Sequence, residues 1–525
     1  MIKGKYKTLP RITAHASRLT IFFLSTTFSA FSQSLFPLQT NSQFLDWYKT
    51  HLTDSVSKII SKPDFTFSDS KQLFDQLDTT SNELKSEKGF QDFSGLFHPN
   101  ETNHVFGLGS ITKILYGIPT DHYSIVSHQS ESFSLNIYPV FGYEVSSLKK
   151  SDKTIFGFQK HNYQGFSATG NIGGDKSFFV LVRDNQGKLN YDPPTNRTTI
   201  PGVGYIKADK PYSVDFSEIS AELTFPFGGG NLSIGKSNPN WSINGESTVL
   251  SKNVVSFPNV RWMIHLDDQV YYEMIWAEFV NYVPHDNDGL LDKKSMAAHR
   301  IVYRPTEKLR FSFFESVLYS GRKFEPVYHI PFMFLKAAEH YNNSPDNANI
   351  GVSAEWFPSN QISIGYQFLI DDISTNIAFS DSTNNKLASL LGISYNGKIS
   401  GKAFSVKLTA AYATRPTYYH HELATQYFHY GDALGLNVYR DRLNLKFETE
   451  FNIYGWITVG GSLGNWKLPP AYYSDGKDYF QNPTSELNKS FSVKVNPVLP
   501  LVLEYKILSV GKSNVQYFTL RYGIF

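Results

Sequence analysis

The sequence predicts an all-β transmembrane antiparallel barrel of about 18 strands, of the bacterial outer-membrane type, preceded by a small helical segment. Three observations predict it. The N-terminus has the build of a cleavable export signal, segments of alternating apolar and polar residues recur along most of the chain, and an aromatic-rich closing stretch ends in Phe525.

The export signal comes first in the chain. Lys3, Lys5, Lys7, Arg11 and Arg18 precede an apolar run from Leu19 to Phe31, and Ala30 and Ser32 supply the small-x-small pattern of a signal-peptidase site. A helix needs about 20 apolar residues to span a bilayer, so this run is too short to be an anchor. Cleavage after Ser32 is expected, making residues 1–32 the signal peptide. That leader holds five of the 49 basic residues and none of the 47 acidic ones, which leaves the remainder mildly acidic. No nucleic-acid partner is therefore expected. The chain has no cysteine, so neither a lipoprotein anchor nor a disulfide is expected.

Residues 33–95 read as a periplasmic helical segment. Phe44, Leu45, Tyr48, Leu52, Val56 and Ile59 recur at helical spacing until Pro63. Leu73, Phe74 and Leu77 mark a second short helix. Thr80 and Glu83 have the spacing of a capping box for a third, which Gly89 ends. Some 50 residues are too few for a confident independent core, and docking on the periplasmic end of a larger body is expected.

Residues 96–525 form the expected outer-membrane barrel. Asn444, Lys446, Glu448, Glu450 and Asn452 alternate with Leu443, Leu445, Phe447 and Phe451. Ile362, Ile364, Tyr366, Phe368 and Ile370 alternate with Ser363, Gly365, Gln367 and Asp371, interrupted by Leu369. Val406, Leu408, Ala410 and Tyr412, then Phe133, Leu135 and Ile137, then Val270, Tyr272, Met274 and Trp276 repeat the pattern. In the final stretch Phe518, Leu520, Tyr522 and Ile524 share one face, with Phe525 out of phase. A soluble sandwich would turn such apolar rows inward, a membrane barrel outward. The export signal, the terminal strand and the absence of a helical interlude over some 430 residues favour the barrel. So does an aromatic content of 15%, with 42 Phe and 32 Tyr, which a barrel spends on its lipid face and interfacial girdles.

The stretch from Ala297 to Ile373 carries the most specific pattern: His299-Arg300, Arg304-Pro305, Glu315, Gly321-Arg322, Pro331, Glu339, Asp346-Asn347 and Asp371-Asp372. Upstream lie Ile234-Gly235-Lys236, Leu250-Ser251-Lys252-Asn253 and Ser256-Phe257-Pro258. This resembles the capsule-assembly Wzi family in its Bacteroidetes form. The resemblance implies a barrel of about eighteen strands with a periplasmic helical bundle, and a role in holding or organising capsular polysaccharide at the cell surface.

Charges in strands near a membrane are costly unless paired. Arg300, Arg304, Glu315, Arg322, Glu339, Asp371 and Asp372 are therefore expected to form a lumenal polar network, with direct ligand contact as the alternative. The densest aromatic and histidine cluster is Tyr418, Tyr419, His420, His421 and Glu422 with Tyr427, Phe428, His429 and Tyr430. Rings with polar edges suit stacking on sugar faces, so Tyr418, Tyr419, His420, His421, Glu422, Tyr427, His429 and Tyr430 are candidate glycan contacts. Girdle or loop packing and a zinc site remain open as alternatives.

Other motifs are weaker. Ser110 and Lys113 imitate a Ser-x-x-Lys catalytic pair, but the partner motifs are missing apart from Tyr341-Asn342-Asn343. His285-Asp286-Asn287-Asp288-Gly289 and Asp292 lack the closing Glu of a calcium loop, so a polar turn is the plainer reading. Gly228-Gly229-Gly230 reads as a turn. No catalytic residue, cofactor or metal is expected. The expected function is a non-enzymatic, lectin-like outer-membrane barrel that binds surface polysaccharide. Outer-membrane lipid and the barrel-insertion machinery are its other expected partners. A solute channel is the alternative, and a hydrolase assembled from distant strands a third reading.

Overall fold

The computed structural model describes residues 104–105, 125–149, 158–173, 175–189, 202–207, 210–239, 241–252, 254–284, 291–342, 344–359, 361–372, 385–454, 457–465, 487–498, 501–510 and 513–522. The expected signal peptide, the helical segment, Ser110, Lys113, the His285–Gly289 turn and Phe525 lie outside these residues.

The strands in chain order are β1 (His104–Val105), β2 (Val126–Gln129), β3 (Phe133–Lys149), β4 (Phe158–Ile172), β5 (Lys176–Leu189), β6 (Ser213–Phe227), β7 (Gly230–Ser237), β8 (Phe257–His265), β9 (Val270–Pro284), β10 (Leu291–Thr306) and β11 (Leu309–Ser320). They continue as β12 (Asn347–Ser359), β13 (Ile362–Asp372), β14 (Lys386–Ile399), β15 (Lys402–Ala413), β16 (Phe428–His429), β17 (Asp432–Ala433), β18 (Asn444–Tyr454), β19 (Ile457–Gly464), β20 (Asn488–Val498), β21 (Leu501–Val510) and β22 (Ser513–Tyr522). One short helix, α1 (Leu335–Asn342), interrupts the β pattern between β11 and β12.

From β3 onward each wall strand pairs antiparallel with the next, and β22 returns to β3 with Leu520 opposite Tyr143. Counting β3–β15 and β18–β22, the barrel is closed by 18 strands. Closure leaves no long unpaired edge for a lipid bilayer to meet. The short β2 pairs the beginning of β3, on the edge that β22 uses further along, and β1 pairs β2.

The two ends of the barrel differ. The β6–β7, β10–β11, β12–β13, β14–β15, β18–β19 and β20–β21 connections are tight, whereas those after β5, β7, β11 and β15 are long. Barrels of this type put short turns toward the periplasm and long loops toward the cell exterior. Gly228 and Gly229 form the β6–β7 turn with φ of 56° and 77°, a conformation that glycine adopts without Cβ strain.

The alternation resolves into two faces. On β18 the outward Leu445 and Phe447 are exposed while Asn444 is buried and Lys446 reaches Glu448 at 3.0 Å inside. On β13 Tyr366 is exposed outside, and Gln367 and Asp371 are buried inside. Leu369, the residue that broke the sequence pattern, also points inward and is fully buried. It has an apolar partner there because the lumen is filled from above.

Candidate functional site

Two long connections fold back into the barrel. The first, residues 238–256 between β7 and β8, carries a tight turn in which Ile243 and Glu246 exchange backbone hydrogen bonds of 2.7 and 3.1 Å. Asn244 and Gly245 sit at its tip with φ of 53° and 86°, as a type I′ turn requires. The tip presses on the far wall, where Gly365 and Gly392 face each other across β13 and β14. A Cβ at Gly392 would fall 2.6 Å from Ile243 Cγ2, so only glycine leaves room for this approach.

Polar groups pin the same connection. Gln367 Oε1 accepts hydrogen bonds from Thr248 N at 2.6 Å, Thr248 Oγ1 at 2.9 Å and Ser247 Oγ at 3.2 Å, and Gln367 Nε2 donates to Trp241 O at 3.1 Å. Trp241 Nε1 donates to Glu273 Oε2 at 3.1 Å, and Arg300 Nε donates to the same oxygen at 2.6 Å. The Arg300 guanidinium also lies over the Trp241 ring at 4.9 Å, a favourable cation–π geometry.

The second connection, residues 414–443, packs on the first. Tyr418 Oη donates to Thr248 O at 2.5 Å and accepts from Leu436 N at 3.0 Å, and Ser251 N donates to Leu434 O at 2.6 Å. Tyr418 N donates to Asp371 Oδ2 at 2.6 Å. Tyr427 stacks on Tyr418 with centroids 5.7 Å apart and hydrogen-bonds Ser316. Together with Val249, Leu250, Leu434, Leu436 and Val438 these rings make a dry core inside the barrel. Burial raises both tyrosine hydroxyl pKa values.

The eight candidate glycan contacts therefore divide. Tyr418, Tyr419, Tyr427 and His429 are buried among the plug and the wall. His429 Nδ1 accepts from Val280 N at 3.0 Å, with Phe257 and Phe279 edge-on to its ring, and burial pushes its pKa down to about 3. All four are packed inside the protein, where the loop-packing alternative would have them. His421 and Glu422 are exposed at the rim, with His420 and Tyr430 partly so. His420 bonds Thr425 at 2.8 Å, and burial followed by the neighbouring His421 lowers its pKa to about 4. Asp432, opposite His429 in the β16–β17 hairpin, accepts from Gly202 N at 3.1 Å, and burial pushes its pKa up to about 7.

The expected lumenal network divides too. Arg300, Arg304 and Asp371 point inward, Arg304 bonding Tyr271 Oη at 2.5 Å. Glu315 does not. It lies on the outer face of β11, and the 321–346 connection covers it there. Arg322 and Glu339 belong to that connection, paired with Asp346 at 2.5 Å and Lys336 at 3.0 Å. Asp372 stands exposed on the outer rim, 3.7 Å from Lys386. The physical reason is the period of two: Glu315 shares parity with the outward Phe311 and Phe313, and adjacent Asp371 and Asp372 must face opposite ways. Pairs that the sequence did not suggest line the lumen instead: Arg183 with Glu218, Arg310 with Glu355, Lys494 with Glu450 at 2.6 Å and Arg521 with Glu504 at 3.3 Å. Arg440, just before β18, covers the Tyr418 ring at 4.8 Å.

Among the described residues no group of three His, Asp or Glu side chains could hold a metal ion. The plug itself was missed from sequence, although Asn244-Gly245 is a strong hairpin signal.

Among solved structures the chain is similar to Wzi of Escherichia coli, an outer-membrane protein involved in group 1 capsule assembly and a carbohydrate-binding β-barrel. Identity is 13%, the TM-score 0.50, and 92% of this chain and 98% of that one are covered. It is also similar to OccAB4 of Acinetobacter baumannii at 10% identity and TM-score 0.42, covering 75% and 98%. A third is OccK3 (OpdO) of Pseudomonas aeruginosa at 9% and 0.40, covering 74% and 95%. At 13% identity the likeness to Wzi establishes the fold alone. No family model matches the chain, and no curated protein sequence matches it.

Proposed function

We propose that this outer-membrane barrel binds or organises capsular or other surface polysaccharide, lectin-like and without catalysis. One observation carries the reading: two interlocked connections fold into the lumen from the long-loop end, held together by Tyr418, Thr248 and Gln367. A barrel built to conduct solutes keeps a water-filled passage. Here the two connections build a buried apolar platform inside the barrel, and the rim above it offers His421, Glu422, His420 and Tyr430 to the exterior. The carbohydrate-binding barrel to which this chain is similar supports the same reading. Imidazole, carboxylate and phenol groups match the hydroxyl-rich, partly apolar faces of a glycan. Each contact is weak, and retention comes from many repeats engaging many barrels at once.

Deletion of the gene in its host tests the proposal, with cell-attached and released polysaccharide measured separately. Loss of the attached fraction with a rise in the released one is expected. Unchanged attachment sinks the function and leaves the fold standing.

A further inference from the structure

The outer wall carries a feature that neither the plug nor the rim uses. Strands β9–β11 place Tyr272, His299 and Glu315 on the face that a barrel turns to lipid, since Ile301, Tyr303 and Phe311 on the same face are exposed. A carboxylate and an imidazole facing acyl chains would each cost several kcal/mol. Yet Glu315 is fully buried and His299 nearly so. The 321–346 connection lies over them.

A chain of hydrogen bonds pins it there. Phe332 N donates to Tyr272 Oη at 2.9 Å, Tyr272 Oη meets His299 Nδ1 at 3.3 Å, and His299 Nε2 meets Glu315 Oε2 at 3.1 Å. Leu335 N, at the start of α1, donates to Glu315 Oε2 at 3.0 Å. Around this polar thread Tyr328, Leu335 and Ala338 bury against Ala297, Val317 and Ala348 of the wall. The connection thus descends the outside of the barrel from Ser320, at the long-loop end, to Tyr272, three residues into a 15-residue strand that starts at the short-turn end. A descent of that length enters the apolar band, about 25 Å tall.

Its outer surface has the matching composition. Phe324, Ile330, Phe332 and Phe334 are 48–60% exposed, the Phe332 ring also packing on Tyr272 at 4.1 Å between centroids. Four large apolar side chains in eleven residues are a poor surface for water. They continue the lipid-facing wall directly, because Tyr272 under Phe332 is the cross-strand partner of Ile301. Ile301 in turn begins an apolar groove of about 400 Å³ that runs over Phe311, Phe313, Val352 and Tyr366.

We propose that the 321–346 connection is a membrane-embedded flap, a second layer on the barrel wall whose Phe324, Ile330, Phe332 and Phe334 contact the acyl chains of outer-membrane lipid. Its inner side neutralises the Tyr272–His299–Glu315 thread by supplying two backbone N–H groups, which a bare wall strand could not do. The inference rests on the barrel fold and is independent of the polysaccharide reading.

The cysteine-free sequence allows a direct test. Single variants Phe332→Cys and Phe334→Cys, spin-labelled in the full-length protein in liposomes, are compared with Leu445→Cys on the bare wall and His421→Cys on the rim. Labels at 332 and 334 should collide with oxygen more than with a water-soluble nickel chelate, as at 445. Preference for the chelate, as at 421, places the flap in water and overturns the proposal. Low collision with both reagents means that protein covers it, which overturns it equally. In a second arm, Glu315→Ala combined with Phe334→Cys should raise label mobility several-fold while the barrel keeps its heat-modifiable mobility on gels. Unchanged mobility refutes the pinning.

Discussion

His299 and Arg300 are neighbours in sequence and work on opposite sides of the barrel wall. Arg300 turns into the lumen, where its Nε meets Glu273 at 2.6 Å beneath the Trp241 ring, while His299 turns outward to Glu315 at 3.1 Å beneath α1. One strand thereby anchors two layers, the plug inside and the covering connection outside. Both anchors are buried carboxylates on the two strands that flank β10, Glu273 on β9 and Glu315 on β11.

Removing the inner anchor should be costly. Glu273→Ala strips the carboxylate that Arg300 and the Trp241 indole share, and breaking a buried pair from one side costs about 3–5 kcal/mol. Thermal unfolding in detergent is expected to shift downward by the corresponding amount. Asp372→Ala, at an exposed rim pair, should leave it nearly unchanged. Equal shifts for the two would contradict the buried role of Glu273.

The plug should yield at Gln367. One side-chain oxygen takes three hydrogen bonds from Ser247 and Thr248. Gln367→Ala leaves those buried donors without that acceptor, at roughly 1–3 kcal/mol for each group left unsatisfied. In planar bilayers the wild type should show little steady conductance and the variant frequent openings. A large steady conductance of the wild type would argue for the channel reading.

The two faces of β18 give opposite expectations. Phe447 is exposed on the outer wall, and Phe447→Arg should destabilise the barrel in vesicles by about 2–4 kcal/mol at the bilayer midplane. Lys446→Ala, on the lumenal face beside Glu448, should change little. Denaturant unfolding of the two variants reads the difference, and reversed magnitudes would turn the wall inside out.

The β16–β17 hairpin holds two titrations of opposite sign. His429 stays neutral when folded down to about pH 3, whereas an exposed histidine takes a proton near 6.5. The opened hairpin then binds more protons between those values, so His429 weakens the packing as pH falls from 6.5 toward 3. Asp432 is pushed up from 3.8 to about 7, so the folded hairpin holds the extra proton and its packing weakens as pH rises from 3.8 toward 7. Near pH 5–6.5 the two effects offset each other in the wild type. Asp432→Asn should leave the acid response bare, with protease access to residues 414–443 growing as much as roughly ten-fold per pH unit below 6.5. His429→Asn should reverse the trend. Identical flat profiles for both variants would refute it.

For the rim, the double variant His421→Ala with Glu422→Ala should lower retention of surface polysaccharide several-fold without moving the unfolding midpoint, because both side chains are largely exposed. Tyr418→Phe should do the opposite, loosening the plug through loss of the Thr248 bond. Polysaccharide retained undiminished by the rim variant would remove those residues from the site.

Much of the wall is legible in the sequence. Leu445 and Phe447 against Lys446 and Glu448, or Tyr366 against Gln367, state by parity which residues share a face, and the strand total follows from length and spacing. Leu369 broke the β13 pattern because its partner is the plug, some 120 residues earlier in the chain. Glu315 was assigned to the lumen because a charge on a barrel strand belongs inside unless something else covers it, and the cover is a connection folded back along the outer wall. The glycan cluster divided for the same reason: Tyr418 and His421 look alike as residues and differ only in which neighbours close over them.

Local periodicity thus determined which residues share each face of the wall, since backbone geometry imposes a two-residue repeat wherever a strand forms, and the export signal and aromatic content pointed to a barrel. Only the tertiary structure decided what fills the lumen, what covers the outer wall and which aromatic side chains remain accessible. Those outcomes depend on contacts between distant segments, and a polar or apolar pattern records that a face is buried without recording what buries it.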